Sequence, residues 1–271
     1  MNFSINYSPQ AAKLVKTGQI EIDYFKTPPW KEMIAIAEKI RPIAIHFEIR
    51  TADIKSMNKN DWVTVDQFLK STATAFVNIH LSVNHNDLPH IPTDELPTQV
   101  HQEEVIECML IDLQIMTSRF GSDRIVAENA PYRKNQNYIL RACVEADVIS
   151  QIVYEADCGL LLDISHARIT SQNLNIDPKK YMESLPINRL RELHFTGLHN
   201  WEGYLQDHLP LLEDDWPWLD WVLGKVNEKQ WNHPHLLAFE YGGTGDFYGR
   251  FSDPAVISEQ VPRMYRKCHA L

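Results

Sequence analysis

The chain has few of the features that mark secreted or disulfide-stabilised proteins. Its 271 residues include only four cysteines, no two of them at Cys-x-x-Cys spacing, which excludes a zinc knuckle and a thioredoxin-type motif. A chain of this length does not need disulfides to hold its core, so we predict free thiols and a reducing compartment. These cysteines are Cys108, Cys143, Cys158 and Cys268.

Long apolar segments are also missing. No stretch approaches the roughly 20 apolar residues that a membrane-spanning helix needs. The segment Met1–Tyr7 lacks a basic region followed by an apolar run, so we predict no signal peptide. Together these absences predict a cytoplasmic protein without membrane association.

Basic residues are outnumbered by acidic ones. Lys and Arg total 26 against 36 Asp and Glu, which gives a formal net charge of −10. Proteins that grip a phosphate backbone usually present a basic face. The charge balance therefore argues against a nucleic-acid partner, although a local basic groove would remain compatible with it.

What the chain does have is a series of short apolar runs, bounded by turn residues or by helical patterns. Most are apolar until their last residues, as parallel strands buried on both faces are. We predict eight strands: Phe3–Tyr7, Ile20–Phe25, Ile43–Ile49, Ala75–Leu81, Ile125–Glu128, Gly159–Ile164, Leu190–Phe195 and Leu236–Tyr241.

Helical spacing of apolar residues separates many of these runs. The predicted helices are Trp30–Arg41, Thr98–Phe120, Asn135–Ala156, Asp215–Val226 and Pro254–Cys268. Alternating strands and helices at a length near the usual ~250 residues predict an α/β fold, a single (β/α)8 TIM barrel over residues 1–271. Two polar segments, Asn84–Leu96 and Asn200–Pro217, are predicted to be long loops at the end of the barrel that carries active sites.

Potential metal ligands end six of the predicted strands. A further Asp-His pair follows the seventh strand. The set is His46 (IAIHFEI), His80 (FVNIHLS), Glu128 (IVAENAPY), Asp163 and His166 (LLLDISHA), His194 (RELHFTG), Asp207, His208 and Glu240 (LLAFEYGG).

Each of these side chains alone is weak support for a metal site, since a lone histidine at a strand end is more often a hydrogen-bonded structural residue. The joint pattern is stronger, because the carboxyl ends of barrel strands converge on one mouth. Burying several carboxylates and imidazoles together without a cation would be costly. Imidazole with carboxylate is the ligand set of zinc, iron or manganese.

The number of ligands exceeds what one ion takes. We therefore predict two or three metal ions, with Glu128 or Glu240 as bridging carboxylates and as the catalytic side chains. Candidate substrate-binding residues lie beside these ligands, although a structural role is equally compatible with each of them. They are Arg50, Asn84, Asn129, Arg168 and His199.

The ligand pattern resembles the xylose-isomerase-like barrel superfamily. Within it, the endonuclease IV family has a similar trinuclear set that includes an Asp-x-x-His. Sugar isomerases and epimerases of the superfamily use a smaller set, which matches Glu128, Asp163, His194 and Glu240. The additional histidines indicate more than one metal.

The short sequence motifs of the chain are most similar to those of the DUF692 family of multinuclear non-heme iron-dependent oxidative enzymes, which includes the methanobactin-biosynthesis oxidase. The resemblance rests on short segments spread over most of the chain. These are INYS with GQIEIDYF, IAIHFEI, the Glu-Asn of AENAPY, DISHA and ELHFTGLH.

Two departures from these families stand out. His166 occupies a position where the DUF692 pattern commonly has Asn. Asp207 and His208 are adjacent, whereas both relatives favour Asp-x-His, and Gln206 stands where that Asp would be. The departures put in question which metal is held at the third position.

The DUF692 resemblance implies iron as the cofactor and oxidation of a cysteine in a small peptide or similar small substrate, with a small partner protein as a further expectation. Three alternatives remain at this point: a divalent-metal sugar or sugar-phosphate isomerase or epimerase using zinc or manganese, an endonuclease IV-like phosphodiesterase, and a metal-binding scaffold without activity. The acidic charge speaks most directly against the phosphodiesterase.

Overall fold

A computed structural model describes residues 1–136, 138–201 and 203–270. The chain forms two compact units. Unit 1 comprises Met1–His46, Gln67–Ala75 and Glu192–Leu271, and unit 2 comprises Phe47–Asp66 and Phe76–Arg191.

Unit 1 is built on a parallel sheet with the strand order β3-β2-β1-β10-β7. Its strands are β1 (Asn2–Asn6), β2 (Tyr24–Thr27), β3 (Ile43–Ile45), β7 (Leu190–Phe195), which enters the unit at Glu192, and β10 (Leu236–Phe239). An antiparallel hairpin, β8 (Gly197–Trp201) with β9 (Tyr204–Leu209), follows β7.

Helices flank the strands of unit 1 along the chain. They are α1 (Pro9–Lys16), α2 (Lys31–Ala37), α8 (Trp216–Asn227), α9 (Gly245–Tyr248) and α10 (Pro254–His269). The sheet strands bury nearly every side chain, in line with their continuous apolar runs.

Unit 2 carries three parallel strands in the order β4-β5-β6. These are β4 (Val77–Leu81), β5 (Ile125–Asn129) and β6 (Gly159–Asp163). Its helices are α4 (Gln99–Phe120), α5 (Ala146–Glu155), α6 (Ile164–Leu174) and α7 (Pro178–Ser184), while α3 (Lys59–Ser71) has residues in both units.

The predicted alternation of parallel strands and helices is confirmed, with shifted boundaries. Leu190–Phe195 has the predicted limits, whereas the second strand is Tyr24–Thr27 and not Ile20–Phe25. The predicted helix Asn135–Ala156 was too long, because a 3₁₀ turn covers Arg141–Val144 and α5 covers only Ala146–Glu155. Pattern reading missed α1, α3, α6 and α7, and the predicted loop Asn200–Pro217 contains β9.

The structure also bears on the cysteines and on membrane-spanning helices. The four cysteines are free thiols, as predicted. Within the residues that the structure describes, no helix is both long and apolar enough to cross a bilayer.

Candidate metal centre

Three predicted ligands of unit 2 come together in a buried group that we call the unit 2 cluster. It consists of Glu128 on β5, Asp163 at the end of β6 and His166 in the first turn of α6. One ligand atom from each residue lies within 4.8 Å of the others. Glu128 and Asp163 are each 1% exposed and His166 is 8% exposed, so both carboxylates are removed from water.

The Asp-x-x-His spacing has a local structural origin. Asp163 is the N-cap of α6, and its Oδ1 accepts a hydrogen bond from the backbone N–H of His166 at 2.7 Å. An N-cap side chain that bonds the third helical residue is a standard start of a helix. The cap holds the His166 ring beside the second carboxylate oxygen, with Nε2 at 3.7 Å from Oδ2.

His80 on β4 lies next to this cluster. Its partner in the β4–β5 register is Glu128, and its Nε2 lies 3.3 Å from Glu128 Oε2. The other oxygen of Glu128 lies 3.8 Å from His166 Nδ1. Glu128 is therefore flanked by an imidazole at each oxygen.

Both histidines of unit 2 are oriented through their other ring nitrogen. His80 Nδ1 lies 3.1 Å from the carbonyl oxygen of Ile49, and His166 Nδ1 lies 3.0 Å from that of Asn129. We assign the proton to Nδ1 in each ring, because a carbonyl only accepts. Metal-binding histidines usually donate their second N–H in this way, which aims the lone pair at the ion.

Asn129, a predicted substrate contact, fastens Asp163 in place. Its side-chain oxygen accepts from the Asp163 N–H at 2.9 Å, and its amide donates to the Asp163 carbonyl at 3.0 Å. Both groups are buried. These two hydrogen bonds tie β5 to the end of β6, so the side chain of Asn129 holds the candidate ligand Asp163 in place.

Replacing Asn129 with Ala should therefore weaken both stability and metal binding. Two buried backbone groups lose their partners, which costs about 2–4 kcal/mol of unfolding free energy. A misplaced Asp163 should lower metal affinity by about 10–100-fold. Urea unfolding and metal titration test this, with the exposed Gln114→Ala as control; wild-type values for both would show that Asn129 is dispensable.

Unit 1 brings together a second set of predicted ligands, His46, His194 and Glu240. They follow or end β3, β7 and β10, and His194 and Glu240 are 0% and 6% exposed. His194 Nδ1 lies 3.2 Å from Glu240 Oε1, and the rings of His46 and His194 have centroids 5.2 Å apart. We call these three residues the unit 1 cluster.

Two residues that pattern reading missed contact the unit 1 cluster. The Lys26 ammonium on β2 lies 3.0 Å from Glu192 Oε1 and 3.5 Å from Glu240 Oε1, and it directly contacts His194 Nε2. Glu192 on β7 lies 2.9 Å from the same imidazole nitrogen. Glu192 and His194 are two apart on one strand and share a face, a signal that the sequence did contain.

The carboxylates of this region are ionised at neutral pH. Burial raises the pKa of Glu192, but the charges of Lys26 and His194 more than offset it and the pKa falls to about 2. Burial also opposes ionisation of Glu240, yet His194, Lys26 and His46 together hold its pKa well below the ordinary value. Both side chains therefore present negative oxygens to a cation.

The hairpin carries the remaining two predicted ligands. His208 on β9 has a left-handed backbone, with φ 60°, and its Nδ1 lies 2.7 Å from the Glu240 carbonyl. Strained backbone of this kind is often found at functional sites. Asp207 instead pairs with its neighbour, because its Oδ1 accepts from Gln206 Nε2 at 2.7 Å.

His208→Ala should remove one ion of the set and leave the others bound. The side chain reaches the Glu240 backbone from a separate hairpin, so its loss leaves both clusters intact. Elemental analysis of the variant beside exposed His233→Ala checks this; loss of all metal would contradict a peripheral role.

Other predicted substrate contacts have structural partners. Arg50 forms ion pairs with Asp53 at 2.7 Å and Asp87 at 2.6 Å. Asn84 accepts from the Ser82 hydroxyl at 3.2 Å, and His199 Nε2 lies 3.2 Å from the Pro210 carbonyl. Arg168 is half-buried on α6. Their substrate contacts stay predictions.

Known structures establish the fold class. A D-tagatose 3-epimerase-like protein is 18% identical with a TM-score of 0.58, and the match covers 98% of this chain and 97% of that one. A xylose isomerase domain protein from Alicyclobacillus acidocaldarius is 11% identical with a TM-score of 0.60, covering 99% of both chains. These matches show the predicted (β/α)8 barrel fold.

Sequence comparison identifies the family. A UPF0276 protein of Acaryochloris marina is 30% identical over 184 residues, which are 63% of this chain and 61% of the relative. The match thus spans less than two thirds of that protein. The sequence profile of the RiPP precursor modification enzymes MbnB, TglH and ChrH matches residues 21–226. The chain belongs to this family, as the DUF692 resemblance predicted.

Proposed function

We propose that this protein is a multinuclear non-heme iron enzyme that oxidatively modifies a cysteine of a ribosomally made peptide. The observation that carries the proposal is the unit 2 cluster, in which two buried carboxylates and an imidazole converge within 4.8 Å. Membership of a family of peptide-modifying enzymes supplies the substrate class.

The donor set of the unit 2 cluster fits a transition-metal ion. Two ligands that each lie about 2 Å from one ion are roughly 3–4 Å apart. His166 Nε2, the ring nitrogen that carries no proton in this assignment, lies 3.7 Å from the Asp163 carboxylate. This separation exceeds a hydrogen bond and matches two ligands that share a cation.

The unit 1 cluster offers similar donors. His194 and Glu240 face each other at 3.2 Å with Glu240 ionised, and His208 lies beside the Glu240 backbone. Ligands in both units support the prediction of two or three ions, with the third resting on His208.

Bound iron would supply O₂ activation and a site for the cysteine thiolate. The residues of the chain have complementary tasks. Glu128 and Glu240 hold their carboxyl groups away from water, and we assign the catalytic roles to them. Asn129 and Glu192 orient the ligands Asp163 and His194 through the contacts described above.

A direct test uses protein loaded with Fe(II) under anaerobic conditions. Synthetic cysteine-containing peptides, copied from small reading frames beside the gene, are added and the mixture is exposed to O₂. We expect a mass change on the cysteine that requires iron and O₂ and is lost in Glu128→Gln. The exposed Glu155→Gln is the matched control.

Other outcomes would overturn the proposal in different ways. Interconversion of ketose and aldose by the zinc or manganese protein would identify an isomerase, and cleavage of a phosphodiester would identify a nuclease. A fully metallated protein that turns over none of these substrates would be a scaffold. Activity that appears only after a small companion protein is added would keep the proposal and identify a partner.

A further inference from the structure

A buried ammonium group lies among the proposed metal ligands of unit 1. Lys26 is 3% exposed, and its Nζ lies 3.5 Å from Glu240 Oε1 while contacting His194 Nε2. Glu240 Oε1 is the same oxygen that faces His194 Nδ1 at 3.2 Å. The lysine thus shares the carboxylate oxygen that a metal ion would use.

The position of Lys26 is set by the sheet. Its strand is paired on both sides, with Lys26 opposite Asn6 of β1 and Ala44 of β3, and its carbonyl accepts from the Tyr7 N–H at 2.9 Å. A backbone held at both edges cannot move the side chain away from the unit 1 cluster without disrupting the sheet.

Glu192 gives the ammonium a second anionic partner. It lies 3.0 Å from Lys26 Nζ, closer than Glu240 does. The Lys26 ammonium therefore contacts two carboxylates. We do not assign Glu192 as a metal ligand, whereas we do assign Glu240 as one. The balance between these two contacts determines how strongly Lys26 occupies Glu240.

We infer that Lys26 is an internal cation that competes with metal for Glu240 and weakens the ion held by the unit 1 cluster. This inference rests on the proposed metal-dependent function. An ion bound to Glu240 Oε1 would lie within roughly 6 Å of the ammonium, where two positive charges repel strongly in a partly dehydrated site. Metal binding in unit 1 is therefore weaker than the ligand set alone would give.

A purely positioning role for Lys26 and Glu192 makes the opposite prediction. If the pair only orients His194, removing either residue lowers metal affinity. If Lys26 competes, removing the lysine raises metal affinity. Removing Glu192 lowers it, because the ammonium is then left with Glu240 and His194.

The experiment measures Co²⁺ binding to metal-free protein in a His80→Ala/His166→Ala background, which removes both imidazoles that lie beside Glu128 in unit 2. Absorption titration and elemental analysis give affinity and stoichiometry. We expect Lys26→Gln and Lys26→Met to bind Co²⁺ at least about tenfold more tightly than the background protein. Glu192→Gln should bind more weakly, and Lys26→Gln/Glu192→Gln should bind more tightly than Glu192→Gln alone.

The outcomes separate the two ideas. Unchanged or lower affinity in both lysine variants, with circular dichroism showing a folded protein, would overturn competition while leaving the proposed function intact. Should the lysine variants not fold, unchanged or higher affinity in Glu192→Gln would still overturn competition. No Co²⁺ bound by any variant would overturn both the inference and the metal role of unit 1, and His194→Ala provides that baseline.

Discussion

Replacing Glu128 with Gln should cost the protein most of its bound metal. Glu128 is flanked by His80 at 3.3 Å and by His166 at 3.8 Å, so each of its two carboxylate oxygens faces a different imidazole. The amide that replaces the carboxylate keeps the size of the side chain but removes its negative charge and turns one oxygen into a donor. We expect metal affinity to fall by more than about 100-fold. This loss is larger than that caused by replacing a residue that only orients a metal ligand.

Elemental analysis and thermal unfolding of Glu128→Gln test this expectation. The variant should fold without metal at least as well as the wild type, because an amide is less costly to bury without a cation than a carboxylate. Glu155→Gln, an exposed change on α5, should keep the wild-type ion count. An unchanged count in Glu128→Gln as well would end the idea of a bridging carboxylate in unit 2.

Glu240→Gln should have an effect of similar size on the unit 1 cluster. Lys26 and His194 keep the Glu240 carboxylate ionised despite its burial, which makes it the principal anionic ligand of that cluster. Its amide would leave the imidazoles of His194 and His46 as the donors beside the Lys26 ammonium. Such a set binds divalent ions poorly, so most of the metal of unit 1 should be lost.

The matched control for Glu240→Gln is Glu213→Gln, whose side chain is 84% exposed in the same unit. Metal content is measured on both proteins after the same loading and dialysis. Retention of the full ion count by Glu240→Gln would mean that Glu240 holds no metal, and the catalytic role proposed for it would go with it.

Much of the fold could be predicted because buried parallel strands leave a simple signal. Continuous apolar runs such as GLLLD of β6 and LRELHF of β7 appear nearly where expected. Helices whose buried face also carries polar residues were harder to predict. The helix α6 was missed because its inner face includes Ser165, His166, Thr170 and Ser171, which are buried polar residues.

The grouping of the candidate ligands could be predicted for a related reason. The rule that polar residues at the ends of apolar strands converge predicts the members of both clusters, whose metal binding stays a prediction. It missed Lys26 because the second strand was predicted to stop at Phe25, whereas β2 continues to Thr27. It missed Glu192 because a charged residue inside an apolar strand was not read together with His194.

Other features depend on tertiary contacts that no local pattern carries. The β8–β9 hairpin is possible only because Gly197 has no side chain, since a Cβ there would lie 1.9 Å from the Pro210 carbonyl. That hairpin gives His208 its place beside Glu240. Asn129 looked like a substrate contact from its position after Glu128, but its role in holding Asp163 appears only in the structure.

The measurement that bears most directly on a multinuclear iron enzyme is elemental analysis of the wild-type protein, purified anaerobically without added metal. The account predicts two or three ions per chain with iron predominant, and the ion of the unit 1 cluster should be lost first on dialysis. A protein that contains less than one ion, and that binds no more when Fe(II) is supplied, would contradict the account.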